Sequence, residues 1–126
     1  MAENRKDQIA VGYIRVASIE DQLHIEQQMK RIREHCDIHG RDLKMVFIDE
    51  GQHSKNFKGP AWLVLEQFLK EHRGKVGTLV VSDTDRLTSD LGMLLLKQHE
   101  LRTSLGVTIE YAGGRQLEQS KGFSLN

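Results

Sequence analysis

The chain has 126 residues, enough for one domain with a real core, since roughly two thirds of the unfolded surface is buried at this length. Hydrophobic residues make up 38% and charged residues 29%, with Lys plus Arg and Asp plus Glu both at 18. The resulting zero net charge excludes a general polyanion coat, though not a local basic patch, and the composition excludes a disordered chain.

One Cys excludes an internal disulfide framework and fits a reducing compartment. The longest wholly apolar stretches are only a few residues, such as Met93–Leu96, so no segment is expected to span a bilayer. Met1–Gln8 carries charges of both signs and no apolar signal core, which makes the cytoplasm the expected location.

Ile9–Val16 is a β-branched and aromatic run that predicts a buried strand. From Ile19 to His39, apolar residues Ile19, Leu23, Ile25, Met29, Ile32 and Cys36 recur at helical spacing, with Gly40 as the stop. Leu43–Ile48 predicts a second strand and Asp49–Gly59 a polar loop. Pro60 opens a helix that places Trp62, Leu65 and Leu69 on one face. Gly74–Gly77 breaks the chain before a third strand, Val76–Ser82. A helix over Thr88–Ser104, a fourth strand over Val107–Tyr111 and a Gly- and Ser-rich tail from Gly113 complete the chain. The expected organisation is one domain over 1–112 and a flexible tail over 113–126.

Strands alternating with helices predict an α/β fold, a three-layer sandwich with a mainly parallel central sheet of at least four strands and flanking helices. Ligands and active sites in such sheets lie beyond the carboxyl ends of the strands. Three polar segments occupy those ends: Arg15–Gln22, Asp49–Lys58 and Ser82–Asp90. Arg15 at the end of an apolar strand calls for an anionic partner or ligand. Strand alternation puts Tyr13, Arg15 and Ala17 on one face and Ser18 on the other. Asp83, Asp85 and Arg86 could bind a metal, orient a phosphate or cap a helix, and Thr88 and Asp90 suit a helix start.

Three motifs in order resemble the catalytic domain of serine recombinases, the resolvases and invertases. Tyr13-Ile14-Arg15-Val16-Ala17-Ser18 is similar to the Tyr-x-Arg-Val-Ser-Thr strand of that family. Asp49-Glu50-Gly51-Gln52-His53-Ser54 followed by Pro60-Ala61-Trp62 is similar to its Asp-x-Gly-x-Ser-Gly loop and Arg-Pro helix start. Val80 to Asp90 is similar to its strand ending in Leu-Asp-Arg-Leu-Ser-Arg-Asp, and Gln22 and Gln27 fall where it tends to place glutamines. The resemblance covers Ile9 to Ala112 and implies a resolvase-like fold. It also implies DNA strand transfer through a covalent phosphoserine in an arginine-rich pocket, with neither a metal nor a cofactor.

Arg15, Asp49, Asp85 and Arg86 match the family's site residues, but the nucleophile position is Ala17, the Arg before Pro60 is Gly59, the second Arg of the third motif is Ser89 and the loop Ser is His53. The expectation is therefore a domain that has lost cleavage, with Ser18 as the alternative nucleophile and an introduced Ala17 as a further route to an active enzyme. Arg15–Asp85 and Asp49–Arg86 ion pairs would then hold strand ends and loops in register.

Lys55 and Lys58 are the candidate DNA contacts, with weak DNA binding expected of this chain alone. The expected partners are a second copy or a related recombinase subunit, and no membrane. A metal-dependent phosphotransfer site on Asp83-Thr84-Asp85 is a rival reading, with Glu20 as its nearest further carboxylate and no Gly-rich context. A receiver-like domain lacks the acidic residues it needs after the first strand. His35, Cys36 and His39 read as a surface helix end with Cys36 turned into the core.

Overall fold

Apolar runs and amphipathic stretches alternate along the chain, and the computed structural model turns them into a parallel α/β sandwich. It describes residues 9–83 and 86–113, apart from the side chain of Gln52. The elements are β1 (Ile9–Val16), α1 (Gln22–His39), β2 (Asp42–Glu50), a 3-10 turn (Gln52–Ser54), α2 (Pro60–Glu71), β3 (Thr78–Val81), α3 (Leu91–Leu105) and β4 (Thr108–Tyr111). The tail expected from 113 onward lies, after Gly113, outside the described residues.

The sheet order is β2-β1-β3-β4, with every pairing parallel. Tyr13 stands beside Phe47 on one flank and Val81 on the other, and Arg15 stands beside Asp49. Alternation along β1 divides the core in two. Val11 and Tyr13 face Trp62, Leu65 and Leu69 of α2 and Leu94, Leu101 and Leu105 of α3. Ala10, Ile14 and Val16 face Ile25, Ile32 and Cys36 of α1. Helices on both faces of a parallel sheet make the three layers expected from the sequence.

The helix ends follow local chemistry. Asp21 caps α1 by accepting from the His24 amide at 3.3 Å, and Asp90 caps α3 by accepting from the Met93 amide at 3.1 Å. Both helices close on a left-handed glycine, Gly40 and Gly106, each at φ 71°. Two helix starts differ from expectation. The first helix begins at Gln22 rather than Ile19, because Asp21 supplies the cap; Ile19 falls outside it, and both Ile19 and Leu23 are exposed. The third begins at Leu91 rather than Thr88, because Asp90 caps it while the Thr88 hydroxyl accepts from the Asp90 amide.

Candidate active site

The strand order changes direction between β1 and β3, the place where a parallel α/β sheet ordinarily opens a crevice beyond its carboxyl ends. The segments after β1, β2 and β3 meet there. Arg15 is half-buried and its Nε donates to the carbonyl of Arg86 at 3.1 Å, so the first and third motifs are joined directly. The Arg15 carbonyl in turn accepts from Gln28 Nε2 at 3.1 Å. Gln28 is 3% exposed because it shares the buried face of α1 with Ile25 and Ile32. Neither Gln22 nor Gln27 takes this place: Gln22 turns back to the Ile19 carbonyl, and both are exposed.

Asp49, the last buried residue of β2, is 3% exposed. Its carboxylate accepts from the Tyr13 hydroxyl at 2.7 Å, the Ala61 amide at 2.8 Å and the Trp62 amide at 2.9 Å. The expected Asp49–Arg86 ion pair is not formed. Two backbone donors at the start of α2 and one phenol hold the carboxylate instead. Among the described residues, Nε of Arg86 is buried without a hydrogen-bond partner. Asp85 lies outside the described residues, and with it the Arg15–Asp85 pair.

The loop after β2 is fastened to the loop after β3. Asn56 donates its amide to the Leu87 carbonyl at 3.2 Å, and the Thr88 hydroxyl donates to Asn56 Oδ1. Asn56 and Phe57 both lie in the left-handed region, at φ 60° and 65°. The Phe57 ring packs on Trp62 at 5.0 Å and beneath Lys97 Nζ at 5.3 Å. Lys97 also meets Glu66 of α2 and Glu100 of α3, both at 2.9 Å. Burial works against that ammonium, but the two carboxylates outweigh it and hold its pKa above the ordinary lysine value. Within this loop Lys55 is half-buried, and His53 and Lys58 are exposed.

Ala17 and Ser18 follow the last residue of β1, Val16, and both are exposed. Strand alternation therefore stops short of them and does not fix where Ser18 points. The Ser18 hydroxyl accepts from the Glu20 amide at 3.2 Å and its carbonyl from the Asp21 amide at 2.9 Å, the bonds of a tight turn into α1. Ser89 is exposed beside the Asp90 cap. Among the described residues, no three His, Cys, Asp or Glu side chains converge as metal ligands.

Remote from the crevice, His35 is not a surface residue. Its Nε2 lies 2.8 Å from Glu110 Oε1, and the Arg41 guanidinium contacts both oxygens of the same carboxylate. This cluster fastens the C-terminal end of α1 to β4.

The match to known proteins agrees with this geometry. The profile of the family described as "Resolvase, N terminal domain" matches residues 10–122, and the chain belongs to that family. It is a resolvase-like serine recombinase domain, associated with DNA recombination.

Solved structures share the fold. The C-terminal catalytic domain of ISC1926 TnpA, an IS607-like serine recombinase, superposes with a TM-score of 0.69 at 24% identity, over 90% of this chain and 74% of that one. The N-terminal catalytic domain of TP901-1 integrase gives 0.70 at 19% identity, over 82% and 77%. The first open reading frame of transposon ISC1904 from Sulfolobus solfataricus P2 gives 0.61 at 20% identity, over 85% and 69%. No curated protein matches the chain by sequence. No described helix is long and apolar enough to cross a membrane.

Proposed function

We propose that this resolvase-family domain has lost DNA strand cleavage and acts in recombination through protein association, pairing with a second copy or with an active recombinase subunit. The observation that carries the reading is Ala17: the position resembling the nucleophile holds a methyl group, exposed just past the end of β1. A covalent phosphoserine needs a hydroxyl there, and the developing charge needs guanidiniums that Gly59 and Ser89 do not supply.

The retained Asp49 supports the same reading, because its oxygens are engaged in holding β1 and α2 together. Exposed Leu91, Leu95 and Leu96 on α3 offer an apolar surface for pairing. Lys55 and Lys58 remain the DNA contacts of this reading, and the cytoplasm its compartment. The assay is incubation with supercoiled DNA followed by a denaturing gel. The expected result is no protein-linked DNA, either from the natural chain or from Ala17→Ser alone; a covalent adduct with the natural chain would overturn the reading.

One observation favours a second reading, in which the domain cleaves DNA through Ser18. The strand ends at Val16, so Ser18 is free of the alternation that would turn it from Arg15. In that case the adduct forms with the natural chain and disappears with Ser18→Ala.

A further inference from the structure

Asn56 and Phe57 are, among the described residues, the only ones other than glycine with a positive φ, at 60° and 65°. The two differ in what they tolerate. The short side chain of Asn suits the left-handed region, whereas a bulky aromatic residue is rare there and stays only where its surroundings hold it. Asn56 has its own fastening, through Leu87 and Thr88 of the loop after β3. Phe57 is held through its ring.

Two groups meet that ring, the indole of Trp62 at 5.0 Å and the ammonium of Lys97 at 5.3 Å. Both are bound to one atom: Glu66 Oε2 accepts from Trp62 Nε1 at 2.8 Å and from Lys97 Nζ at 2.9 Å. A single carboxylate oxygen on α2 thus sets the indole and the ammonium around Phe57. Glu100 of α3 steadies the same ammonium at 2.9 Å. The Lys97 side chain is only 19% exposed, and attraction between a cation and an aromatic face strengthens as water is removed. Trp62 is close to Phe57 in sequence, but Lys97 arrives from the next helix, so the loop after β2 depends on α3 for its shape.

We propose that Lys97 is the positioning residue of the loop after β2. Its ammonium keeps the Phe57 ring on Trp62, the backbone at 56 and 57 stays left-handed, and the loop presents Lys55 and Lys58 in one fixed arrangement. The DNA role of those two lysines belongs to the function proposed above, and the positioning rests on that reading only for its purpose. It is measured without DNA, so either can fail alone.

The test compares three variants of the full chain: Lys97→Met keeps the stem and removes the charge, Lys97→Arg keeps the charge, and Phe57→Leu keeps apolar bulk and removes the ring. Two readouts are local, trypsin cleavage after Lys55 and Lys58 and amide exchange at Asn56; exchange of the β1 amides follows global opening. Lys97→Met and Phe57→Leu are each expected to speed both local readouts by roughly tenfold, with a much smaller change in β1. Lys97→Arg, whose planar cation stacks on aromatic rings and pairs with carboxylates, should stay near the natural rates. Lys97→Met combined with Phe57→Leu should open the loop no further than either alone, because both remove one contact. An unchanged loop in Lys97→Met, loop and β1 amides speeding together, an open loop in Lys97→Arg, or additive opening in the double variant would each overturn the assignment. Should Lys97→Met fail to fold, Phe57→Leu and Lys97→Arg still decide, by a loop that opens in the first and stays closed in the second.

Discussion

The Tyr13 hydroxyl donates to the Asp49 carboxylate across 2.7 Å, joining β1 to the end of β2 directly above the first turn of α2. Burial, and then the bond to Asp49, raise the phenol's pKa above its ordinary value, so the proton stays in place as a donor through the alkaline range. The ring is 1% exposed and meets Trp62 edge-on at 5.2 Å. Tyr13→Phe keeps that packing and removes one hydrogen bond to a charged acceptor, a loss of about 1.5–3 kcal/mol. Urea unfolding should show a lower midpoint with an unchanged slope; an unchanged midpoint would mean that the hydroxyl carries no stability.

Glu110 gives stability a sign with pH. Burial opposes its ionisation, but hydrogen bonds and charge from Arg41 and His35 outweigh it and hold the carboxyl below the usual glutamate range. A depressed folded-state pKa contributes stability that is complete above the unfolded value, about 4.3, and is lost as pH falls through the folded value. Unfolding free energy should therefore decline below about pH 5, and decline less steeply in Glu110→Gln. Parallel curves for the two proteins would remove Glu110 from the acid response.

The single thiol should be inert. Burial, followed by the charges of Glu110 and Asp37, pushes the Cys36 pKa up to about 11, and the residue is 2% exposed. Reaction with a disulfide reagent at neutral pH is expected to run at least roughly tenfold slower than with a free cysteine, and to reach the ordinary rate in urea. Rapid labelling of the folded chain would contradict this placement.

Asn56 is a graded test of the fastening between the loops. Its left-handed φ of 60° suits Asn or Gly and penalises Ala by roughly 1–2 kcal/mol. Asn56→Ala should be the more destabilising, losing both backbone fit and the bond from Thr88. Asn56→Gly loses only that bond and should unfold at an intermediate temperature. The reverse order would mean that the backbone conformation is not what Asn56 provides.

Much of this molecule is legible from sequence period alone. The strand Ile9–Val16, the Pro60 helix start and the glycine stop at Gly40 are local signals, and local signals decide them. Motif order brought Arg15, Asp49 and Arg86 to neighbouring strand ends, where the register and the Arg15–Arg86 contact hold them.

The partners of those residues were not legible, because they depend on which donor arrives first in three dimensions. Asp49 was expected beside a guanidinium, but the two amides at the start of α2 and the phenol of Tyr13 lie closer. A glycine at the N-cap before Pro60 was the available signal, since a helix start without its own capping side chain must find one elsewhere. Gln28 was equally readable, as the polar member of the Ile25–Ile32 face, had polar residues been counted in the helical period. His35 needed β4, far along the chain, to supply Glu110.

The wholly parallel sheet also dictates how the chain must assemble. Ile9 finds Asp42, Ala10 finds Thr78, and Thr78 finds Thr108, so no strand can zip onto its neighbour through a short hairpin. Each rung requires a long excursion to close before any reward arrives, and loop-closure entropy of that kind slows refolding. Jumps from denaturant should return the native state on a millisecond-to-second scale, slower than a helical bundle of equal length.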